Sequence, residues 1–419
     1  MTDSINHSEP PSFFDIKVFD GDAVVHFIQP KCAITFEEYA KNIFIPYIKM
    51  QLGTATRCDF VWDCYKKDSL KEATREKRGR GVRRKVEARS KVPGNWSEFL
   101  HNSSNNKELF TFLSKSIQST EWEAGKEILT TLGTAVLTNI TSQATMSLCN
   151  HEEAATRLFI HVLNGVANGA INCLIRTVDT DVIFLGMFHA LLAINPACNV
   201  WVAFGIGKNF QCIHINTVYE KLGEEKARAL PFFIHSQDVT QHQVFMEEVK
   251  KTAWEAWKCF LYATSSFIYM QSNAFTTSIN PDTLLFKLLE HFCVAMYDKT
   301  SSQSSVDEAR KELFCQKNQT MESIPPTQDA LLQHTRRAAY QSQIWCTSDE
   351  PLQDIPSPEG IGWTKEEDMW QPVWITLPVS SKACLELVKC GCKKGCTATC
   401  SCRRANWKCT ALCSCNCDK

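Results

Sequence analysis

Apolar and polar positions along the chain switch repeatedly between the period of a strand and that of a helix. Lys17 to Ile28 (KVFDGDAVVHFI) is a short apolar run around Asp20, Gly21 and Asp22, which predicts a buried strand ending in acidic residues. Thr35 to Leu52 has helical spacing, with a kink expected at Pro46. Arg57 to Asp63 (RCDFVWD) predicts a second short strand that again ends in Asp. Asn95 to Ile117 predicts one or two helices around Trp96, Phe99, Leu109 and Phe112, and Ala135 to Asn139 predicts a strand. Glu152 to Asn164 has the spacing of an amphipathic helix.

Ala170 to Leu185 reads apolar, then Asp179-Thr180-Asp181, then apolar again. Met187 to Ile194 predicts a short helix, and Asn199 to Phe204 and Phe210 to Ile215 predict strands. Helices follow at Thr217 to Pro231, Thr252 to Met270, Pro281 to Tyr297, Asp307 to Lys317 and Thr327 to Ile344. Strands alternating with helices indicate an α/β domain with a mainly parallel sheet flanked by helices. The expected organisation is an α/β domain over 1–300, a helical extension over 301–346, a linker with a Trp-rich packing segment over 347–383, and a small Cys-rich tail over 384–419.

Composition narrows the class. Hydrophobic residues are 44% and charged residues 22%, which excludes a chain disordered throughout. The net charge of −1 excludes a globally basic nucleic-acid binder, but not local patches. Lys66 to Lys91 is such a patch, with twelve Lys/Arg against four Asp/Glu. The start of the chain has no basic region followed by an apolar one, so no leader is expected. Val182 to Gly207 is uncharged, but Asn195-Pro196 interrupts it, so no membrane span is expected. The compartment is then reducing, and clustered cysteines there favour metal over disulfides.

Asp20, Asp63, Glu153, Asp179 and Asp181 fall at expected strand ends or the first turn of a helix. In a parallel sheet those ends face one crevice. Gathered carboxylates repel one another unless a cation neutralises them, and Mg²⁺ or Mn²⁺ with oxygen ligands suits them. Two such ions activate water and stabilise the leaving oxygen of a phosphodiester. The Asp-X-Asp spacing puts both side chains on one face of a strand.

These motifs carry a resemblance. Val18-Phe19-Asp20-Gly21, then Phe60-Val61-Trp62-Asp63 with a Lys/Arg-rich helix after it, then Glu152-Glu153-Ala154, then Asp179-Thr180-Asp181 occur in the order of the flap-endonuclease/PIN-like nucleases. The chain resembles most nearly the Asteroid-type branch, and also animal proteins, some of mobile-element origin, that join such a domain to a cysteine-rich tail. The resemblance implies a PIN-like fold and carboxylates that bind two divalent metals and cleave DNA or RNA. It also implies basic helices that contact the substrate backbone, here Arg75, Lys77, Arg78, Arg80, Arg83, Arg84 and Lys85. Two departures point to impaired hydrolysis. Where the family has acid-Ala-acid, this chain has Glu153-Ala154-Ala155. Where relatives carry an acidic turn and a Gly-rich stretch, Ser236 to Lys251 has no glycine, with Thr240 at the acid's place and Asp238 two residues away.

Residues 390–417 of the tail carry nine of the 21 cysteines: Cys390, Cys392, Cys396, Cys400, Cys402, Cys409, Cys413, Cys415 and Cys417. Thiolates bind Zn²⁺ tetrahedrally, and nine serve three ions if three of them bridge. So short a tail has no room for a conventional core, so metal would supply its folding energy. A disulfide knot is the alternative reading. The spacing resembles the tesmin-type CXC domain, which binds zinc and often DNA, with the final Cys-X-Cys a departure from it. Cys384 stands apart. The expected partner is nucleic acid, DNA rather than RNA, and the expected location is nuclear, with cytoplasmic as the alternative. A non-catalytic DNA-binding or scaffold protein and a metallothionein-like zinc buffer are the competing readings.

Overall fold

Phe14–Asp20 (β1) lies at the centre of a seven-stranded sheet. In this computed structural model the described residues are 9–72, 81–140, 146, 148–192, 197–237, 246–275, 279–317, 324–376 and, in the tail, 390, 392, 395–397, 400–404, 409, 413 and 415. The chain divides into two units, 1–372 and 373–419. The other strands of the first unit's sheet are Ala55–Val61 (β2), Glu127–Leu132 (β3), Ala135–Thr138 (β4), Asn172–Thr177 (β5), Asn199–Phe204 (β6) and Gln211–His214 (β7). Their order is β4-β3-β2-β1-β5-β6-β7. The five inner strands run parallel, and β4 and β7 close the edges antiparallel. The chain builds outward from β1 through β2 and β3, then crosses to β5 and β6 on the other side. The order therefore reverses between β1 and β5.

The pleat separates two cores. Phe19, Cys58 and Phe60 pack with Phe36, Tyr39, Phe44, Trp96, Phe99 and Leu109 on one face. The elements around this face are Gly21–Phe27 (α1), Phe36–Tyr39 (α2), Ile45–Leu52 (α3), Trp96–Leu100 (α4) and Ser103–Gln118 (α5), and the π-helical turn Ala40–Phe44 that joins α2 to α3. The kink expected at Pro46 is this turn: proline has no N–H to continue the α-helical ladder, and the backbone widens just before it.

Ile16, Val18, Val61 and Ile175 face the other core. The helices around it are Ala154–Ala167 (α6), Asp181–Leu192 (α7), Ile215–Leu222 (α8), Glu224–Gln237 (α9), Met246–Cys259 (α10), Tyr262–Ser272 (α11), Leu284–Tyr297 (α12), Val306–Lys317 (α13) and Gln328–Cys346 (α14). Val306, Leu331, Ala339 and Trp345 belong to this same cluster, so residues 306–346 share the core of the α/β region. Residues 347–362 are tied down too. His151 Nε2 bonds Glu350 O at 2.7 Å, and Asn150 exchanges hydrogen bonds with Gln353.

One local expectation is corrected, and two elements were not expected. The strand expected over 17–28 stops at Asp20, because Asp20 Oδ1 accepts from Ala23 N and starts α1. Gly21 is required there: a Cβ would lie 2.2 Å from the buried Trp62 ring. Strand β3 carried no legible apolar period. Thr130 and Thr131 are buried in it because their hydroxyls accept from Trp62 Nε1 and Trp62 N at 3.0 and 2.9 Å. A hairpin, Trp363–Glu366 (β8) with Met369–Pro372 (β9), also went unread in the sequence; its turn needs positive φ at Glu367 and Asp368. Among the described residues, no helix is long and apolar enough to cross a membrane.

Candidate functional site

A crevice at the carboxyl ends of parallel strands, where the strand order reverses, is where open α/β sheets bind ligands. Here that point lies between Asp20 at the end of β1 and Thr177 at the end of β5. The Thr177 hydroxyl donates to Asp20 Oδ2 at 2.9 Å and accepts from Asp179 N at 3.0 Å. Asp179 Oδ1 in turn accepts from Asp181 N at 2.9 Å. Asp179 and Asp181 are therefore in the β5–α7 turn and at the first residue of α7. The strand geometry expected for Asp-X-Asp does not hold, since β5 ends at Thr177.

Asp63 follows β2, and its Oδ1 accepts from Ala154 N at 2.8 Å, satisfying an orphan donor at the start of α6. Glu153 is the N-cap residue of that helix and makes an ion pair with Lys71. Burial opposes charge on Lys71, but Glu153, then Asp63 and Asp181, hold its ammonium above the ordinary lysine value. Asp20 carries the strain of the cluster. Burial, then the charges of Asp22 and Asp63, push its carboxyl up to about 7. All five expected acids thus converge on one edge, together with an unexpected lysine.

The donor set suits a cation in charge but not in spacing. Oxygen ligands of one Mg²⁺ sit at about 2.0–2.1 Å and so within roughly 4.2 Å of one another. Among the described residues, no three carboxylates bring oxygens within 4.8 Å of one another. Lys71 supplies part of the neutralising charge instead.

The basic segment is only partly visible. Arg75, Lys77, Arg78 and Arg80 lie outside the described residues. Residues 81–87 are not helical, which corrects the expected helix. They form an irregular segment that α5 holds: Asn105 Oδ1 accepts from Arg84 N at 2.9 Å, and Arg83 pairs with Glu108. Lys85 pairs with Glu87, and the Arg84 side chain is exposed. The hairpin buttresses the preceding loop, with Trp370 Nε1 donating to Asp68 O at 2.9 Å. Asp238 and Thr240 lie outside the described residues.

A buried ionic cluster was missed. Arg57 grips Asp59 in a two-point hydrogen bond of 2.6 and 2.7 Å, and His161 Nδ1 stands 2.6 Å from Asp59 Oδ2. Burial pushes the Asp59 carboxyl up, yet Arg57 and His161 hold it below the ordinary value. Burial holds His161 below the ordinary histidine value, against the pull of Asp59. The readable signal was Arg-X-Asp inside an otherwise apolar strand: charges at alternate positions of a buried strand must find partners on the same face.

In the second unit, eight of the nine expected ligands are described; Cys417 is outside the described residues, as is Cys384. They form three overlapping tetrads whose sulfurs lie within 4.8 Å of one another. These are Cys390, Cys392, Cys396 and Cys400; Cys390, Cys400, Cys402 and Cys409; and Cys390, Cys409, Cys413 and Cys415. Representative Sγ–Sγ separations are 3.6 Å for Cys390–Cys396 and 3.7 Å for Cys390–Cys415. Four sulfurs around one Zn²⁺ at about 2.3 Å stand roughly 3.8 Å apart. The described cysteines are all free thiols. The backbone N–H of Arg403 pulls the Cys400 thiol down to about 6, which favours the thiolate a metal needs. The tail therefore clusters its cysteines in a way that can hold a metal ion such as zinc.

Compared with known proteins, the chain matches no family model, no curated protein and no solved structure.

Proposed function

We propose that this chain binds nucleic acid along the carboxyl edge of a PIN-like sheet, with a zinc cluster of the CXC type in its tail. Hydrolysis of phosphodiesters at that edge is impaired. What carries the reading is the convergence of Asp20, Asp63, Asp179 and Asp181, from the ends of β1, β2 and β5, and of Glu153, at the start of α6, near the point where strand order reverses. Five acids in the chain order of a metal nuclease have reason to gather there if a divalent cation binds them and a phosphate backbone binds that cation. Mg²⁺ or Mn²⁺, when bound, would supply charge neutralisation and an activated water. The basic stretch from Lys66 to Lys91 would neutralise phosphates and make binding salt-dependent.

One observation favours a binder without catalysis. Lys71 pairs with Glu153, and the carboxylate spacing falls short of a direct metal cage. Ala155, in the first turn of α6, stands where the resemblance calls for an acid. Cys390 belongs to all three tetrads of the tail, and Cys400 and Cys409 to two each, which supports a three-zinc cluster with bridging sulfurs. DNA is the preferred partner and the nucleus the preferred location. The test is Ala155→Asp in the full chain, assayed on labelled flap and single-stranded substrates in Mn²⁺. Gain of cleavage over wild type supports a decayed nuclease. Absence of cleavage in both forms, with binding retained, supports the binder.

A further inference from the structure

The turn from β6 to β7 carries an aromatic feature that the carboxylate site does not use. After β6 ends at Phe204, residues 205–210 (GIGKNF) form an exposed loop with a 3-10 turn at Gly207–Asn209. Gly205 has φ of 77°, and a Cβ there would lie 2.4 Å from Asn209 O, so the loop closes tightly on itself. Arg176, near the end of β5, fixes it from below. Its guanidinium donates to Thr177 O and Ala203 O at 2.7 and 2.9 Å and to Gly205 O at 2.6 Å.

That guanidinium lies between two rings. Its Cζ is 4.7 Å from the Phe27 centroid and 5.5 Å from the Phe210 centroid. Phe210 is 51% exposed, and Ile206 and Val178 are 55% and 42% exposed. Exposed apolar side chains are ordinary when scattered. Val178 follows the end of β5, Ile206 follows the end of β6 and Phe210 precedes β7, so all three lie at the sheet edge where Thr177, the residue after Arg176, bonds Asp20. Lys208, two residues before Phe210, is exposed on the same loop.

We propose that Phe210, backed by the Phe27–Arg176 stack, is a stacking platform for one unpaired base of a single strand, with Lys208 on the adjoining phosphate. The proposal rests on the nucleic-acid reading above and specifies how the strand is held. A rigid ring with a cation behind it and its outer part open to solvent suits a flat aromatic partner. A cationic side chain within two residues suits a partner that alternates aromatic rings with anionic groups, which is the chemistry of single-stranded nucleic acid. A duplex keeps its bases stacked internally and offers the platform none.

The test uses the full chain and a fluorescein-labelled 12-nucleotide single strand, with the matching duplex as control. Base–aromatic stacking sets the expected effect of Phe210→Ala: about tenfold or more weaker binding of the single strand, with duplex binding changed less than about twofold. Phe210→Trp retains single-strand affinity, and its added indole emission is quenched when the strand binds. Lys208→Ala lowers the salt slope of single-strand binding by roughly one. Unchanged single-strand affinity in Phe210→Ala, with wild type binding well, overturns the platform while leaving the wider reading intact. Failure of the wild-type chain to bind either probe at low salt overturns both.

Discussion

The Thr177 hydroxyl donates to Asp20 Oδ2 at 2.9 Å across the reversal of strand order, joining the ends of β1 and β5. The Thr177 hydroxyl oxygen also accepts from Asp179 N, so one threonine positions two of the clustered acids, Asp20 and Asp179. Thr177 is fully buried, and Thr177→Val keeps its shape while leaving a carboxylate oxygen and a backbone N–H short of a partner. The expected cost is about 1–3 kcal/mol, read as a lowered denaturant midpoint with an unchanged slope.

Asp20 is pushed up to about 7 from an ordinary 3.8, chiefly by burial and then by Asp22 and Asp63. A carboxyl raised in the folded state contributes stability that is full below 3.8 and is lost as pH rises towards about 7. Asn in its place still accepts at the cap of α1 but carries no charge. Asp20→Asn is therefore neutral in stability near pH 4 and stabilising near pH 8, by up to roughly 4 kcal/mol if the whole shift is relieved. Thermal melts of both forms across that range measure it. Equal differences at both ends would show that Asp20 is not strained by charge.

The Arg57–Asp59–His161 cluster answers to a different rule. Asp59 and His161 are fully buried, and Arg57 nearly so. Removing one partner strands a buried charge, so Asp59→Ala costs about 3–5 kcal/mol. Replacing all three with apolar residues of similar volume costs far less. Urea unfolding of the single and triple variants distinguishes an ionic cluster held for specificity from one that adds net stability.

In the tail, the three tetrads predict metal bound in a ratio near three Zn²⁺ per chain, countable by native mass spectrometry. A zinc chelator should abolish ordered structure in the tail, because thiolate–metal bonds replace a hydrophobic core there. A single Zn²⁺ per chain would show that the sulfurs do not bridge. Cys390, shared by all three tetrads, is the position where Ser costs the most metal.

The sheet was legible because six of its seven strands are short apolar runs, three of them (β1, β2 and β5) ended or followed by acids. Strand β3 hid because Thr130 and Thr131 are polar in composition yet buried by their bonds to Trp62. The hairpin over Trp363–Pro372 hid because its turn is Glu367-Asp368 rather than a Gly-containing pair. The five acids were found from spacing and resemblance, but the strand face assigned to Asp179 and Asp181 failed because β5 ends before them. Lys71 was counted only as one charge in a basic run. Nothing in one dimension sets it apart from Lys66 or Lys67. Gly205-Ile206-Gly207-Lys208 is too short a signal to mark the loop ending at Phe210, and its partner Arg176 is 29 residues from Gly205 and meets it only across the sheet.

The central claim is that the carboxyl edge binds nucleic acid and cleaves it poorly. The most direct measurement follows labelled flap, hairpin and single-stranded DNA and RNA with the purified chain in Mn²⁺ at stepped salt, reading bound fraction and product in the same samples. The account predicts binding that weakens linearly in log salt, slow or absent cleavage, and loss of any product in the Asp179→Ala, Asp181→Ala double variant. No binding of any substrate at low salt would contradict it.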